Sequence, residues 1–270
     1  MLLRQVEYAR PASVEEAVEL LADNPNARPL AGGQTLINVM KARIASPEVL
    51  VDLNGLDELR TIELGADGTL ELGAMVTYMD VLSSPECRTR GVLGEVAAQI
   101  ADVQVRNRGT IGGNVCANDP TNHFPPLMVA LGATMTIAAR GGERDVPAEE
   151  FFLGVYMTAA GPGELLTKVT VPPAEGAGDA FASVTVGQDG TGIVNVAASV
   201  NGEARVAVGC VAAVPVLVHA QQTDEDAVRE AVRGAALDPP SDVHASADYR
   251  RHLAEVLAAR AVRRASERRS

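Results

Sequence analysis

The amino-acid sequence predicts a protein of mixed helices and strands, in which an amino-terminal α/β part precedes a carboxy-terminal α+β domain. Three observations support this fold class. Helical and strand-like segments alternate over the first fifty residues, the Pro- and Gly-rich segment PPAEGAGD (172–179) resembles a linker, and two alternating apolar runs flank Asn201-Gly202 beyond it. At 270 residues the chain is long enough for one large domain or two to three small ones.

The first fifty residues predict a small unit of β-α-β-α-β order. Ser13 and Glu16 have the spacing of a capping box, and apolar residues then recur at helical spacing until Asn24. Strands are predicted at 27–31 and 49–53, on either side of a second short helix. Such alternation is typical of an α/β unit.

The middle of the chain predicts further strands at 70–74, 133–139 and 165–171, and a return strand that ends at Pro147. Helices are expected after Thr77 with Asp80 as capping partner, over 92–100, and from Pro125 to Gly132. In the carboxy-terminal part, Asn201-Gly202 predicts a hairpin. Thr223 is predicted to cap the next helix, and a last helix runs through Leu253 and Leu257.

The composition excludes several classes of function. A net charge of -12 argues against nucleic acid as a partner, because binding to phosphates needs clustered Lys and Arg. No apolar run is long enough to span a bilayer, and the amino terminus does not resemble a signal peptide, so we expect a cytoplasmic protein. Three cysteines without C-x-x-C spacing and four scattered histidines predict no metal or iron–sulfur site in this chain.

Two glycine pairs are the candidate binding motifs. We name them the AGGQT loop (Ala31, Gly32, Gly33, Gln34, Thr35) and the TIGGN segment (Thr110, Ile111, Gly112, Gly113, Asn114). Glycine tolerates positive φ and lets a ligand approach the backbone, and successive amides in such a turn can bind an anion. Neither motif has the spacing of a Rossmann turn or a P-loop. Either pair alone is typical of a plain tight turn, but two that converge would suit the diphosphate of a dinucleotide.

The same motifs carry a resemblance to a known family. AGGQTL, QIADVQVRNRGTIGGN and NDPTNHFPPLMVALGA resemble the FAD-binding medium subunit of the molybdenum hydroxylases, the group of carbon monoxide dehydrogenase and xanthine dehydrogenase. The resemblance extends over nearly the whole chain, including FFLGVYMT, GELLTKVTVP and ADYRRHLAEVL. It implies an α+β flavoprotein of the vanillyl-alcohol-oxidase-like (PCMH) type. Its FAD-binding domain would span 1–173, with subdomains 1–54 and 55–173, and an α+β domain would span 174–270.

The resemblance also implies a cofactor and partners. Residues 31–35 of the AGGQT loop and Thr110, Gly112, Gly113 and Asn114 of the TIGGN segment would hold the diphosphate of FAD. Ile100 and Leu166 would pack against the cofactor. Molybdopterin would belong to a large partner subunit and [2Fe-2S] clusters to a small one, in an expected dimer of heterotrimers. FAD would pass electrons from the clusters to an external acceptor, so no catalytic acid, base or nucleophile is expected here.

Three positions depart from the family pattern. His123 stands where the family has an Asp, and is expected to face the flavin as a cation or a neutral donor. Ala182 and Ile193 align with a Lys and an aromatic residue that reach the flavin ring. These departures keep two alternatives open: a scaffold subunit without flavin, and a flavin-dependent enzyme that acts alone.

Overall fold

The computed structural model describes residues 3–187 and 190–269, which form one parallel and three antiparallel sheets. The amino-terminal unit has a parallel sheet of order β1-β3-β2. Its elements are β1 (Glu7–Ala9), α1 (Val14–Asp23), β2 (Ala27–Leu30), α2 (Leu36–Lys41) and β3 (Val49–Asp52). The Ser13 hydroxyl accepts a hydrogen bond from the Glu16 amide at 3.1 Å, which confirms the predicted start of α1. The predicted β-α-β-α-β order is confirmed as well.

The second unit is built on an antiparallel sheet of order β4-β5-β10-β6-β7. Its strands are β4 (Ile62–Leu64), β5 (Leu70–Gly73), β6 (Thr134–Ala139), β7 (Gly142–Pro147) and β10 (Leu165–Val171), with a small pair β8 (Phe152–Gly154) and β9 (Met157–Thr158). Its helices are α3 (Tyr78–Ser83), α4 (Val92–Gln99), α5 (Val103–Arg106), α6 (Ile111–Ala117), α7 (Phe124–Leu131) and α8 (Ala148–Phe151). The Thr77 and Asp80 capping box is confirmed.

The third unit is an antiparallel meander covered by two helices. It consists of β11 (Gly178–Val186), β12 (Thr191–Asn201), β13 (Glu203–Gly209), β14 (Val216–Ala220), α9 (Glu225–Arg233) and α10 (Ala247–Glu267). Gly202 turns the β12–β13 hairpin with φ of 84°, as predicted. The predicted cap of α9 was wrong by one residue, because Asp224 rather than Thr223 accepts from the Ala227 amide.

Apolar packing joins neighbouring units, since the core of the second unit includes Phe181 and Ala197 of the third sheet, and that of the amino-terminal unit includes Leu165 of β10. Helix α10 packs its buried Leu253, Leu257 and Val262 against the third sheet.

Cys87 and Cys210 are buried, whereas Cys116 is half-buried, and all three thiols are free. Within the described ranges, none of the helices is long and apolar enough to cross a bilayer.

A buried ion pair joins the second and third units. Arg90 is 3% exposed, and its Nε lies 2.7 Å from Oδ2 of Asp179 on β11. Arg90 also donates a hydrogen bond to the Pro172 carbonyl at 3.0 Å. The pair therefore links the short 3-10 helix Glu86–Arg90 of the second unit to the first strand of the third.

Helix α7 packs on β12 and β13, and His123 is buried at this contact. The imidazole centre lies 5.2 Å from the ring centre of Phe181. The side-chain amide nitrogen of Asn195 lies 3.3 Å from Nδ1 of His123 and donates to the Asn122 carbonyl at 3.0 Å. Burial lowers the pKa of His123 to about 4, although the Thr121 carbonyl acts in the opposite direction. The side chain is therefore a neutral part of the interface near pH 7.

We expect Asp179→Ala to lower the free energy of unfolding by about 3–5 kcal/mol, because the guanidinium of Arg90 would remain buried without its counter-charge. Urea unfolding followed by circular dichroism measures the change. Asp248→Ala is the matched control, since that carboxylate is 96% exposed in its pair with Arg251. Equal stability of the two variants would contradict a structural role for the buried pair.

We expect His123 to make stability depend on pH. The unfolded chain binds a proton near pH 6.5 and the folded chain only near pH 4, so the free energy of unfolding falls as the pH drops between these values. The total loss is roughly 3 kcal/mol. Thermal unfolding from pH 4 to 8 should show a flatter profile for His123→Gln than for the wild type, whereas His219→Gln, at an exposed position, should leave the profile unchanged. Parallel profiles for all three proteins would refute the assignment.

Candidate functional site

The AGGQT loop follows strand β2 at the carboxyl edge of the parallel sheet. Gly33 adopts a φ of 72°, in the left-handed region that favours glycine. The loop is partly exposed and leads directly into helix α2. The expected need for a glycine turn at this motif is therefore confirmed at Gly33.

In the AGGQT loop the backbone carbonyls and the backbone amides differ in their hydrogen bonding. All five carbonyls accept hydrogen bonds: those of Ala31, Gly32 and Gln34 from the side-chain amides of Asn54, Gln34 and Asn38, and those of Gly33 and Thr35 from amides of α2. By contrast, none of the five backbone amides of residues 31–35 has an acceptor among the residues that the structure describes. The loop thus presents five donors with unused hydrogen-bonding capacity.

A polar network beneath the loop holds it to the sheet. Asn54 Nδ2 donates to the Ala31 carbonyl at 3.1 Å and to Oδ1 of Asp52 at 2.6 Å. Asp52 is 6% exposed and also accepts from the Tyr8 hydroxyl. Burial tends to raise the pKa of Asp52, but the hydrogen bonds from Tyr8 and Asn54 outweigh it and the pKa lies below its ordinary value. The carboxylate is therefore charged at neutral pH and orients Asn54.

The TIGGN segment differs from the expected loop, because Ile111, Gly112, Gly113 and Asn114 form the first turn of helix α6. The Thr110 hydroxyl caps this helix by accepting from the Gly113 amide at 3.0 Å. The amides of Ile111 and Gly112 donate to the carbonyls of Val76 and Ala74, both at 2.9 Å. The expectation that both motifs offer unused amides is therefore corrected for this segment, because the amides of Ile111, Gly112, Gly113 and Asn114 already have partners within the protein.

Glycine has a different purpose at each position of the two motifs. A Cβ on Gly32 would lie 2.0 Å from the Arg108 carbonyl oxygen, next to Gly109. A Cβ on Gly113 would lie 3.6 Å from that of Ala31, and one on Gly112 would collide with Ala74 at 2.6 Å. Gly32 thus allows the AGGQT loop to approach Arg108 and Gly109, and Gly112 allows α6 to approach the end of β5, while Gly113 lies within contact distance of Ala31. The predicted convergence of the two motifs is a feature of the fold.

Asn114 is held by a residue that the sequence patterns did not identify. Its Nδ2 donates to the Tyr78 hydroxyl at 2.8 Å, and the Tyr78 ring stacks on Phe124 at 5.6 Å. Burial raises the pKa of Tyr78, so the phenol stays protonated. The Oδ1 atom of Asn114 is buried and has no partner in the described part of the chain. The Thr77 capping box predicted the helix of Tyr78 but carried no signal for this contact.

The remaining predicted residues lie farther inside the protein. Ile100 ends α4 and packs, half-buried, on the core, whereas Leu166 is 3% exposed within β10. His123 is sealed against Phe181 and Asn195, so its ring contacts the third unit. Contacts of these three side chains with a cofactor stay predictions.

Ala182 and Ile193 were expected beside the flavin ring, and the structure corrects this expectation. Both side chains belong to the core that α10 covers. Neighbouring side chains of a strand point to opposite faces, and accordingly Phe181 packs in the core of the second unit. Ser183 also faces that unit and donates to the side chain of Gln99 at 3.2 Å. Ala182 and Ile193 thus pack inside the third unit, and retention of flavin stays a prediction.

Two known protein families match the amino-terminal and the carboxy-terminal parts of the chain. The family model described as FAD binding domain in molybdopterin dehydrogenase matches residues 4–174, and the one described as CO dehydrogenase flavoprotein C-terminal domain matches residues 175–265. The two matches follow one another along the chain.

Individual relatives are similar over their full length. The carbon monoxide dehydrogenase medium chain of Afipia carboxidovorans is 37% identical, over 99% of each chain, and the glyceraldehyde dehydrogenase medium chain of Sulfolobus acidocaldarius is 33% identical, over 95% of this chain and 97% of that one. A solved carbon monoxide dehydrogenase from Hydrogenophaga pseudoflava, which lacks the Mo-pyranopterin moiety, contains a chain that matches with a TM-score of 0.93, 35% identity and full coverage of both chains. The predicted fold class is thereby confirmed. The chain belongs to the family of FAD-binding medium subunits of the molybdenum hydroxylases.

Proposed function

We propose that this chain binds FAD and serves as the electron-transfer subunit of a heteromeric molybdenum hydroxylase. The observation that carries the proposal is the AGGQT loop, whose five amides have no acceptor in the described part of the chain, at the place where the TIGGN segment meets it. A family model for FAD binding that covers residues 4–174 supports the choice of ligand.

The residues present fit a diphosphate. Backbone amides are the donors that bind such an anion, and neither motif contains an acidic side chain that would repel it. Ala31, Gly32, Gly33, Gln34 and Thr35 would supply these donors. Thr110, Gly112, Gly113 and Asn114 would shape the opposite wall.

When bound, FAD would supply the ability to take up electrons singly and to release them in pairs. The chain's own contribution is to hold and orient the cofactor. The proposed complex has a large subunit with molybdopterin and a small subunit with [2Fe-2S] clusters, which would deliver electrons here for an external acceptor. Relatives named medium chains of dehydrogenases support this division into subunits. The dimer of heterotrimers and the cytoplasmic location stay predictions.

We expect the purified chain to be yellow, and both Gly33→Val and Gly113→Val to lose flavin while the circular dichroism spectrum persists. A side chain at Gly33 meets an unfavourable φ, and one at Gly113 presses against Thr110 and Ala31. Gly94→Val is the control, because a Cβ there meets no atom within 4 Å. Retention of flavin in both test variants would remove the role of the two motifs.

We expect native co-purification to recover two further subunits together with FAD, molybdenum and iron. Metal analysis and flavin absorbance of the same fractions measure all three. A flavin-containing chain that elutes alone, without molybdenum or iron, would favour an enzyme that acts by itself. Assembled subunits that contain metals but no flavin would instead favour the scaffold alternative.

A further inference from the structure

Arg108 lies where the two glycine motifs meet. Its carbonyl oxygen is the atom that a Cβ on Gly32 would approach to 2.0 Å, and its amide donates to the Val105 carbonyl at 3.1 Å. The main chain of Arg108 is thus packed against the AGGQT loop, one residue before Gly109 and two before the TIGGN segment. The long side chain of Arg108 starts within a few bonds of this contact.

The Arg108 guanidinium differs from those of Arg106, Arg60 and Arg10, each of which has a hydrogen-bond or ion-pair partner. Arg106 donates to the carbonyls of Ile100 and Ala101 at 2.9 and 2.8 Å. Arg60 is hydrogen-bonded to Asn54, and Arg10 lies 4.0 Å from Asp52. Arg108 is exposed, and over residues 3–187 and 190–269 its side chain has no hydrogen bond or ion pair.

Charge at this place matters because the protein as a whole repels anions. The net charge is -12, and Arg108 is the nearest formal charge in sequence to the TIGGN segment, in which every residue is uncharged, as in the AGGQT loop. A guanidinium offers planar pairs of donors that match phosphate oxygens, and such charge-assisted hydrogen bonds are stronger than those from neutral amides.

We propose that Arg108 is a cofactor-binding residue, whose guanidinium pairs with the diphosphate of FAD held at the AGGQT loop. The inference rests on the proposed function, and it adds a cation to a site otherwise made of main-chain donors. Arg108 takes no part in electron transfer itself. Its contribution is affinity for the phosphate-containing part of the cofactor.

The test compares two flavins on the full-length chain after removal of bound cofactor. We expect Arg108→Gln to weaken FAD binding about ten- to hundredfold in a fluorescence titration. Riboflavin, which has no phosphate, should bind wild type and variant equally. Increasing salt should weaken FAD binding by the wild type more than by the variant, because screening acts on the charge that the variant lacks.

Arg88→Gln is the matched control. Arg88 is also exposed and without a side-chain partner among the described residues, but it lies in the short 3-10 helix Glu86–Arg90, outside both motifs. This variant should bind FAD like the wild type. Circular dichroism of each variant verifies the fold, and Arg108→Lys, which keeps the charge, should restore part of the affinity.

The outcomes separate this inference from the function on which it rests. A wild-type chain that binds no FAD refutes the proposed function. A wild type that binds FAD, with Arg108→Gln equal to it, refutes the role of Arg108 alone. Equal loss of FAD and riboflavin affinity would likewise overturn the proposal, because the effect would then not depend on phosphate.

Discussion

The close approach of Gly32 to the Arg108 carbonyl is the contact on which the candidate site depends. Any side chain at Gly32 would separate two segments that are far apart in sequence. Because the contact is made by main chain on both sides, it also sets where Ala31 and Gly113 face each other. The unused amides of the AGGQT loop then lie at a junction of two units rather than on an isolated surface turn. The absence of a Cβ at Gly32 is therefore what allows the two units to meet at this junction.

Local chemistry made much of the fold predictable. Ser13, Thr77 and the Asn201-Gly202 turn were identified because each acts through neighbours a few residues away. Features that depend on partners distant in sequence could not be predicted in this way. The TIGGN segment resembled a loop, yet it is helical because Thr110 caps it and the carbonyls of Ala74 and Val76 satisfy its first amides. For the same reason no sequence pattern revealed Tyr78, whose role consists of contacts with Asn114 and Phe124.

The contact between the second and third units gives a physical meaning to the departures from the family pattern. A neutral imidazole can be buried against Phe181 beside the Asn195 amide, whereas a carboxylate at the same place would have to lose its hydration. His123 is thus compatible with a sealed interface. Alternation along β11 likewise assigns Ala182 to the core under α10, where a small residue allows the helix to approach the sheet.

The network of Tyr8, Asp52 and Asn54 has a consequence for how a ligand would be recognised. Asn54 fixes the Ala31 carbonyl, so the peptide plane that carries the neighbouring amide is oriented by folding and not by the ligand. Association then requires little additional ordering of the backbone, and more of the interaction enthalpy remains as net affinity. Tyr8, Asp52 and Asn54 would in this way influence the residence time of a ligand that they do not touch. If the Asp52 carboxylate were less firmly held, the AGGQT loop would regain conformational entropy that folding had removed.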